Sequence, residues 1–256
     1  MREITVGAAR VPYRVLGAGR PLVLVHGGSR GSQGWDRVAE TFTETRTIVL
    51  PDLSGSDAAR DDGGALTVEL LAEQVAAVIS DLGQGPADVV GHSMGGAVVA
   101  RLAAVRPDLV RRLVLVSGWT GQGDEYIRQA LSLWRDLADD AAAFARYTML
   151  IAFSRAYLES LDPAAVAELA TSYRPEPGRL RQIDLALQLD VRDLLPQIQA
   201  PALVIGCRRD VLVSAEYSRE LTAVIPGATY AEIDGGHIVM AERPTEFAKL
   251  LRDFID

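Results

Sequence analysis

Cysteine is nearly absent from this chain: Cys207 is the only one in 256 residues. A single thiol excludes an intrachain disulfide framework and predicts a reducing, cytoplasmic location. Cys207 directly follows an apolar, strand-like run, a setting in which cysteine acts as a small buried hydrophobe. Lysine is as scarce, with Lys249 alone among 26 basic residues, and the arginines lie scattered beside acids under a net charge of −8. Phosphate backbones require clustered cations, so nucleic acid is excluded as a partner. No apolar run approaches the ~20 residues of a membrane span. The opening "MREITVGAARVPYRV" also lacks the apolar core of a secretory leader, so no membrane association is expected. Histidine is limited to His26, His92 and His237, in separate segments and without a cysteine or histidine at ligand spacing. Neither a metal nor another cofactor is implied.

What is present is a large core. With 48% hydrophobic and 23% charged residues, the length suits one large domain or a domain carrying an insertion. Up to about Ser117, short β-branched runs alternate with longer helical patterns. "VPYRVLG", "PLVLVHG", "RTIVLPDLSG", "PADVVG" and "VRRLVLVSG" read as strands, while "LTVELLAEQVAAVISDLG" and "MGGAVVARLAAVRP" read as helices. Apolar strands separated by helices predict an α/β fold with a mostly parallel sheet and helices on both faces. After Trp119 the rhythm breaks. From Asp124 to Asp190 the pattern is almost continuously helical, with breaks at Pro163 and around Pro175–Gly178; strand–helix alternation resumes at "PALVIGCRRD". The expected organisation is a core of residues 1–118 and 196–256 with an inserted helical cap over 119–195.

The chemistry is concentrated in "VVGHSMGGAVVARL", Val89 to Leu102. Gly91-His92-Ser93-Met94-Gly95 fits G-x-S-x-G, with a predicted strand before it and a predicted helix after it. Small residues two positions either side let the chain fold past a side chain held at a very tight turn. Ser93 is therefore the candidate nucleophile, and it needs a base oriented by a third group. His92 adjoins Ser93 and projects elsewhere; His26, in "VLVHGGS", reads as a loop organiser. By elimination His237, after "ATYAEIDGG", is the base. Asp210, four residues past Gly206 at the end of a predicted strand, is the candidate acid, preferred over Asp124, Glu125 and Asp234. The Met94 and Gly28 N–H groups are the candidate oxyanion donors.

These motifs resemble the α/β-hydrolase superfamily over essentially the whole chain. The matching stretches are H-G-G after the second apolar strand, "PDLSGSDAA", G-H-S-M-G-G, a strand ending G-x-x-x-D, and G-G-H before the last helix. The chain looks most like the compact bacterial branch with a helical lid, which holds esterases, enol-lactonases, carbon–carbon bond hydrolases and cofactor-free haloperoxidase-like enzymes. The resemblance implies a Ser93, His237, Asp210 triad and a Gly28/Met94 oxyanion hole. Ser56, where the branch often has a second glycine, and Ser214, where it often has proline, depart from the pattern without touching the chemistry.

The expected activity is hydrolysis of a small ester, lactone or thioester through an acyl-enzyme. A second reading keeps the triad for a non-hydrolytic elimination, lyase or cyclisation step on a biosynthetic intermediate, and a third is a non-catalytic small-molecule receptor. Ser29, Arg30, Trp119, Trp134, Tyr147 and Phe153 are the substrate-binding candidates, with Arg30 as a partner for a substrate carboxylate. The expected partner is a small molecule; the sequence leaves the oligomeric state open, a homo-oligomer included.

Overall fold

The computed structural model describes residues 1–119, 121 and 125–256. Eight strands form one sheet: β1 (Arg2–Val6), β2 (Ala9–Leu16), β3 (Arg20–Val25), β4 (Arg46–Pro51), β5 (Ala87–His92), β6 (Val110–Val116), β7 (Ala202–Cys207) and β8 (Thr229–Ile233), in the order β1-β2-β4-β3-β5-β6-β7-β8. The β1–β2 and β2–β4 pairs are antiparallel and all later pairs are parallel. The expectation of a mostly parallel α/β sheet thus holds, with an antiparallel edge that the pattern did not reveal.

Side chains alternate along each parallel strand between two apolar cores. Val23 and Val25, Val89, Leu113 and Leu115, and Val204 face one side, against α2 (Val68–Leu82) and α3 (Met94–Val105). Leu22 and Leu24, Val90, Val114 and Val116, and Ile205 face the other, against α1 (Asp36–Glu40) and a later helix, Pro244–Ile255. Burial on both faces is why these strands read as unbroken apolar runs. Cys207 closes β7 fully buried in the second core. Ser117 Oγ donates to its sulfur at 3.1 Å, and burial pushes the thiol pKa up to about 12, which leaves it unreactive.

Between β6 and β7 the chain runs through α4 (Glu125–Asp136), α5 (Ala141–Ala152), α6 (Arg155–Ser160), α7 (Pro163–Thr171) and α8 (Pro177–Gln188). Each break has a local cause. Asp140, Ser154 and Asp162 cap α5, α6 and α7 through side-chain oxygens, and proline opens α7 and α8, where its missing N–H costs nothing. The core then finishes with α9 (Ala215–Val224), α10 (Val239–Glu242) and α11 (Pro244–Ile255). Among the described residues no helix is long and apolar enough to cross a membrane.

The sheet order fixes where a site forms. From β3 the chain steps outward to β4, then returns past β3 to β5, so β3 and β5 are neighbours whose following loops diverge. Such a switch point leaves a crevice at the carboxyl ends of the strands. At the opposite end, fully buried Asp88 near the start of β5 accepts from Arg46 Nη1 at 2.9 Å and from Arg111 Nε at 2.7 Å. Both guanidinium groups also donate to the Ile255 carbonyl, at 3.0 and 2.6 Å, which clamps the end of α11 beneath the sheet. Asp88→Ala leaves Arg111 without its carboxylate and buried Arg46 with only the exposed Asp256, and we expect a loss of about 3–5 kcal/mol. Urea unfolding of the wild type and the variant measures it.

Candidate active site

The turn from β5 into α3 places Ser93 at φ 56° and ψ −126°, left-handed backbone that a side-chain-bearing residue adopts only under constraint. Two close approaches supply the constraint. A Cβ on Gly91 would overlap the Gly95 carbonyl and Val99, and one on Gly95 would overlap the His26 carbonyl from the β3 loop. The glycines of the motif therefore serve contact, and through Gly95 they press the β5–α3 turn against the loop after β3. The Ser93 N–H donates to Val116 O at 2.9 Å, which fixes the turn to β6 as well.

Three side chains distant in sequence meet here. His237 Nε2 lies 2.9 Å from Ser93 Oγ, and His237 Nδ1 lies 2.7 Å from Asp210 Oδ2. The other oxygen of Asp210 accepts from the Leu212 and Val213 N–H groups at 2.9 and 2.8 Å. With an anionic Asp210 these contacts put the imidazole proton on Nδ1 and leave Nε2 to accept from the Ser93 hydroxyl. All three residues are buried. The other acids weighed from the sequence lie elsewhere or are engaged: Asp234 pairs with Arg209 at 2.7 Å and Glu125 with Arg128, while Asp124 lies outside the described residues.

The remaining histidines hold backbone. His92 donates from Nε2 to the His237 carbonyl at 2.9 Å. His26 accepts the Leu53 N–H on Nε2 at 3.1 Å and donates from Nδ1 to Gly27 O at 2.8 Å, which ties the β3 loop to the β4 loop. Burial lowers the pKa of both, that of His92 to about 3. The Gly28 and Met94 N–H groups find no acceptor among the described residues. Both residues line a cavity of about 380 Å³ that also touches Ser93 and His237.

Of the substrate-binding candidates, Ser29, Arg30, Trp119, Trp134 and Phe153 line this cavity. Trp134 donates its indole N–H to Thr148 Oγ1 at 2.8 Å, so its ring meets the cavity with no polar group unsatisfied. Arg30 sits exposed at the rim, bound to Asp57 at 2.6 Å, so its charge is already met by the protein. Tyr147 does not reach the cavity. On α5 the inward face is Thr148, Ile151 and Ala152; Tyr147 turns toward α4, where its hydroxyl donates to Ala130 O at 3.0 Å, and it lines a separate outer groove. Sequence reasoning missed Arg179 and Gln182 of α8, which also line the cavity. Their signal was a polar pair on a helical face that continues into Ile183 and Ala186.

Buried Glu242 is a third residue the sequence did not disclose. Its carboxylate accepts from the Gly236 N–H at 3.0 Å and from the Ser154 N–H and hydroxyl at 2.7 Å each. It therefore joins the turn that presents His237 to the junction of α5 and α6.

Residues 20–244 match the family described as alpha/beta hydrolase fold. The chain belongs to that family. It is 37% identical to the pyrrolizixenacetamide deacetylase of Xenorhabdus hominickii, over 100% of this chain and 98% of that protein. Its structure is similar to the enol-lactonase of Burkholderia xenovorans LB400, with a TM-score of 0.89 at 25% identity over 99% of both chains. It is also similar in fold to a thermophilic esterase from Thermogutta terrifontis, with a TM-score of 0.86 at 22% identity, over 99% of this chain and 97% of that one.

The two buried histidines make stability depend on acid. Each has its pKa depressed in the folded chain from an ordinary value near 6.5, so below that pH the unfolded chain binds the extra proton. Their contribution is complete above about pH 6.5 and is lost as the pH falls below it, for His92 down to its folded pKa of about 3. Between pH 6.5 and 5 we expect unfolding free energy to drop. His92→Gln should flatten that slope by up to about 1.4 kcal/mol per pH unit. Urea midpoints measured across the range test this; equal slopes in the two proteins contradict it.

Proposed function

We propose that this α/β-hydrolase-fold protein is a serine hydrolase of a small carboxylic ester, lactone, thioester or amide. The observation that carries the reading is the continuous chain Asp210 Oδ2–His237 Nδ1 at 2.7 Å and His237 Nε2–Ser93 Oγ at 2.9 Å, opening onto a mostly apolar cavity. Ser93 Oγ attacks the acyl carbon as its proton passes to His237 Nε2, and Asp210 holds the ring and stabilises its charged form. The carbonyl oxygen becomes an oxyanion facing the Gly28 and Met94 N–H groups, which have no other acceptor to give up. Collapse breaks the bond to the leaving alcohol, thiol or amine, which takes the proton from Nε2. Water then gives a proton to the same nitrogen and attacks the acyl-enzyme, and its collapse returns the proton to Ser93 and frees the acid.

The relatives support an acyl bond and widen its type. The Xenorhabdus protein is named a deacetylase of an acetamide and the Burkholderia protein an enol-lactonase, so amide belongs beside ester and lactone. We expect a fluorophosphonate to label Ser93 alone and Ser93→Ala to lower p-nitrophenyl acetate turnover by ~10³-fold or more. Labelling at another residue overturns the assignment. Turnover in ¹⁸O-water separates reaction classes: hydrolysis puts solvent oxygen into the acid, whereas an elimination does not. Comparing p-nitrophenyl acetate with 4-nitroacetanilide places the enzyme between ester and amide.

A further inference from the structure

Arg179 is 5% exposed, lines the cavity, and makes no hydrogen bond or ion pair with any described residue. Its one specific contact is with the Tyr173 ring, whose centroid lies 5.7 Å from Cζ. Asp57 and Glu176 act on it only from beyond ion-pair distance; both are exposed, and Asp57 is already bound to Arg30. Burial lowers the guanidinium pKa, yet an arginine stays charged at neutral pH. A desolvated cation without a counter-charge costs free energy that nothing else in the wall returns.

One helical turn further along, Gln182 is 1% exposed and also lines the cavity, and both its amide nitrogen and its amide oxygen lack partners among the described residues. Arg179, Gln182, Ile183 and Ala186 fall at i, i+3, i+4 and i+7, so they share one face of α8. That face runs from a polar end at its first turn to an apolar end. It is also held firmly. A Cβ on Gly178 would overlap the Gly55 carbonyl, so the first turn of α8 sits directly on the loop after β4. Arg181 donates to both oxygens of Asp61 in that same region, at 2.8 and 3.0 Å. The guanidinium is thus placed in advance on a docked helix.

We propose that Arg179, with Gln182 beside it, binds a carboxylate carried by the substrate. The proposal rests on the acyl-hydrolase reading of the cavity and names its substrate class: a short, mainly hydrocarbon ester, lactone or amide bearing one carboxylate away from the scissile bond. The planar guanidinium fork matches two carboxylate oxygens, and the Gln182 amide N–H adds a neutral donor. Trp134, Leu131, Ile151, Ile183 and Phe153 make the inner wall mainly apolar, while Arg30 and Arg37 lie exposed at its edge, so Arg179 is the one buried charge that the wall offers.

Titration calorimetry with 4-phenylbutanoate and its neutral isostere 4-phenylbutanamide tests the site, and it reads binding whether or not Ser93 is a nucleophile. Wild-type protein should bind the acid at least about ten-fold more tightly than the amide. Arg179→Met should bring the two within two-fold, while Arg179→Lys and Gln182→Leu should each keep part of the preference. Because no protein carboxylate pairs with the charge, and the Tyr173 ring can pack against methionine as well, Arg179→Met should melt at or above the wild-type temperature. Equal affinity for acid and amide in the wild type, no binding of the acid, or a preference that survives Arg179→Met overturns the proposal. So does a melting temperature lowered by more than about 4 °C, or a variant that does not fold, since either gives Arg179 a structural role.

Discussion

Everything at this site depends on the left-handed turn at Ser93, and that turn depends on van der Waals contact. The strand before it and the helix after it are close enough that Gly91, Gly95 and Val99 touch. The Gly95 Cα also lies against the His26 carbonyl, so the same contact that bends β5 into α3 sets the distance to the loop after β3. The Gly28 N–H is in that loop and the Met94 N–H opens α3. One steric arrangement therefore sets Ser93 and two residues whose N–H groups have no acceptor among the described residues along one cavity. A larger residue at either glycine would move all three together.

His237 arrives from the far side, and its placement uses different physics. It is presented from a turn after β8, three strands from β5 in the sheet order, and strand pairing, which ends at Ile233, does not fix that turn. Directed polar contacts do. His92 binds its carbonyl, the Ile238 N–H donates to Ala152 O at 3.0 Å, and Glu242 binds the Gly236 N–H. Two of these three ties lead into the helical insert, at Ala152 and, through Glu242, at Ser154. The insert thus walls the cavity and also holds the imidazole, so a change at Ser154, which does not line the cavity, reaches the His237–Ser93 hydrogen bond through Glu242.

The sequence disclosed what is written in local chemistry. The strand-to-helix turn at Ser93, the G-G-H before the last helices and Asp210 four residues past Gly206 each depend on residue type at fixed spacing, and the fold brings the three side chains within hydrogen-bond distance. The antiparallel β1 escaped because its exposed, weakly apolar "REITV" carries no buried-strand signal. The five-residue α1 is too short to show a period. The cavity was harder to read, because which face of a helix looks inward depends on how that helix docks. Tyr147 and Thr148 are adjacent on α5, and only the second faces the cavity. Arg179 and Arg181 are two apart on α8; Arg181 turns to Asp61 while Arg179 lines the cavity.

Two buried arginines show the fold using one residue type in opposite ways. Arg46, at the amino end of the sheet, meets Asp88, Asp256 and the Ile255 carbonyl, so its charge is compensated within the chain. Its role is to hold the C-terminal helix in place. Arg179, above the carboxyl end, has an aromatic face for company and no carboxylate in reach. A protein able to neutralise a buried guanidinium this thoroughly in one place, and leaving another uncompensated beside an unsatisfied amide, has set the second apart for a group that comes and goes. Preorganised charge of this kind lowers folding stability and returns it as binding energy when the complementary ion enters. In a cavity whose inner wall is mainly tryptophan, phenylalanine and aliphatic side chains, with the other arginines, Arg30 and Arg37, exposed at its edge, that one buried charge also orients the ligand. With the carboxylate anchored at α8, the hydrocarbon portion extends along the apolar wall, and chain length then governs which carbonyl reaches Ser93.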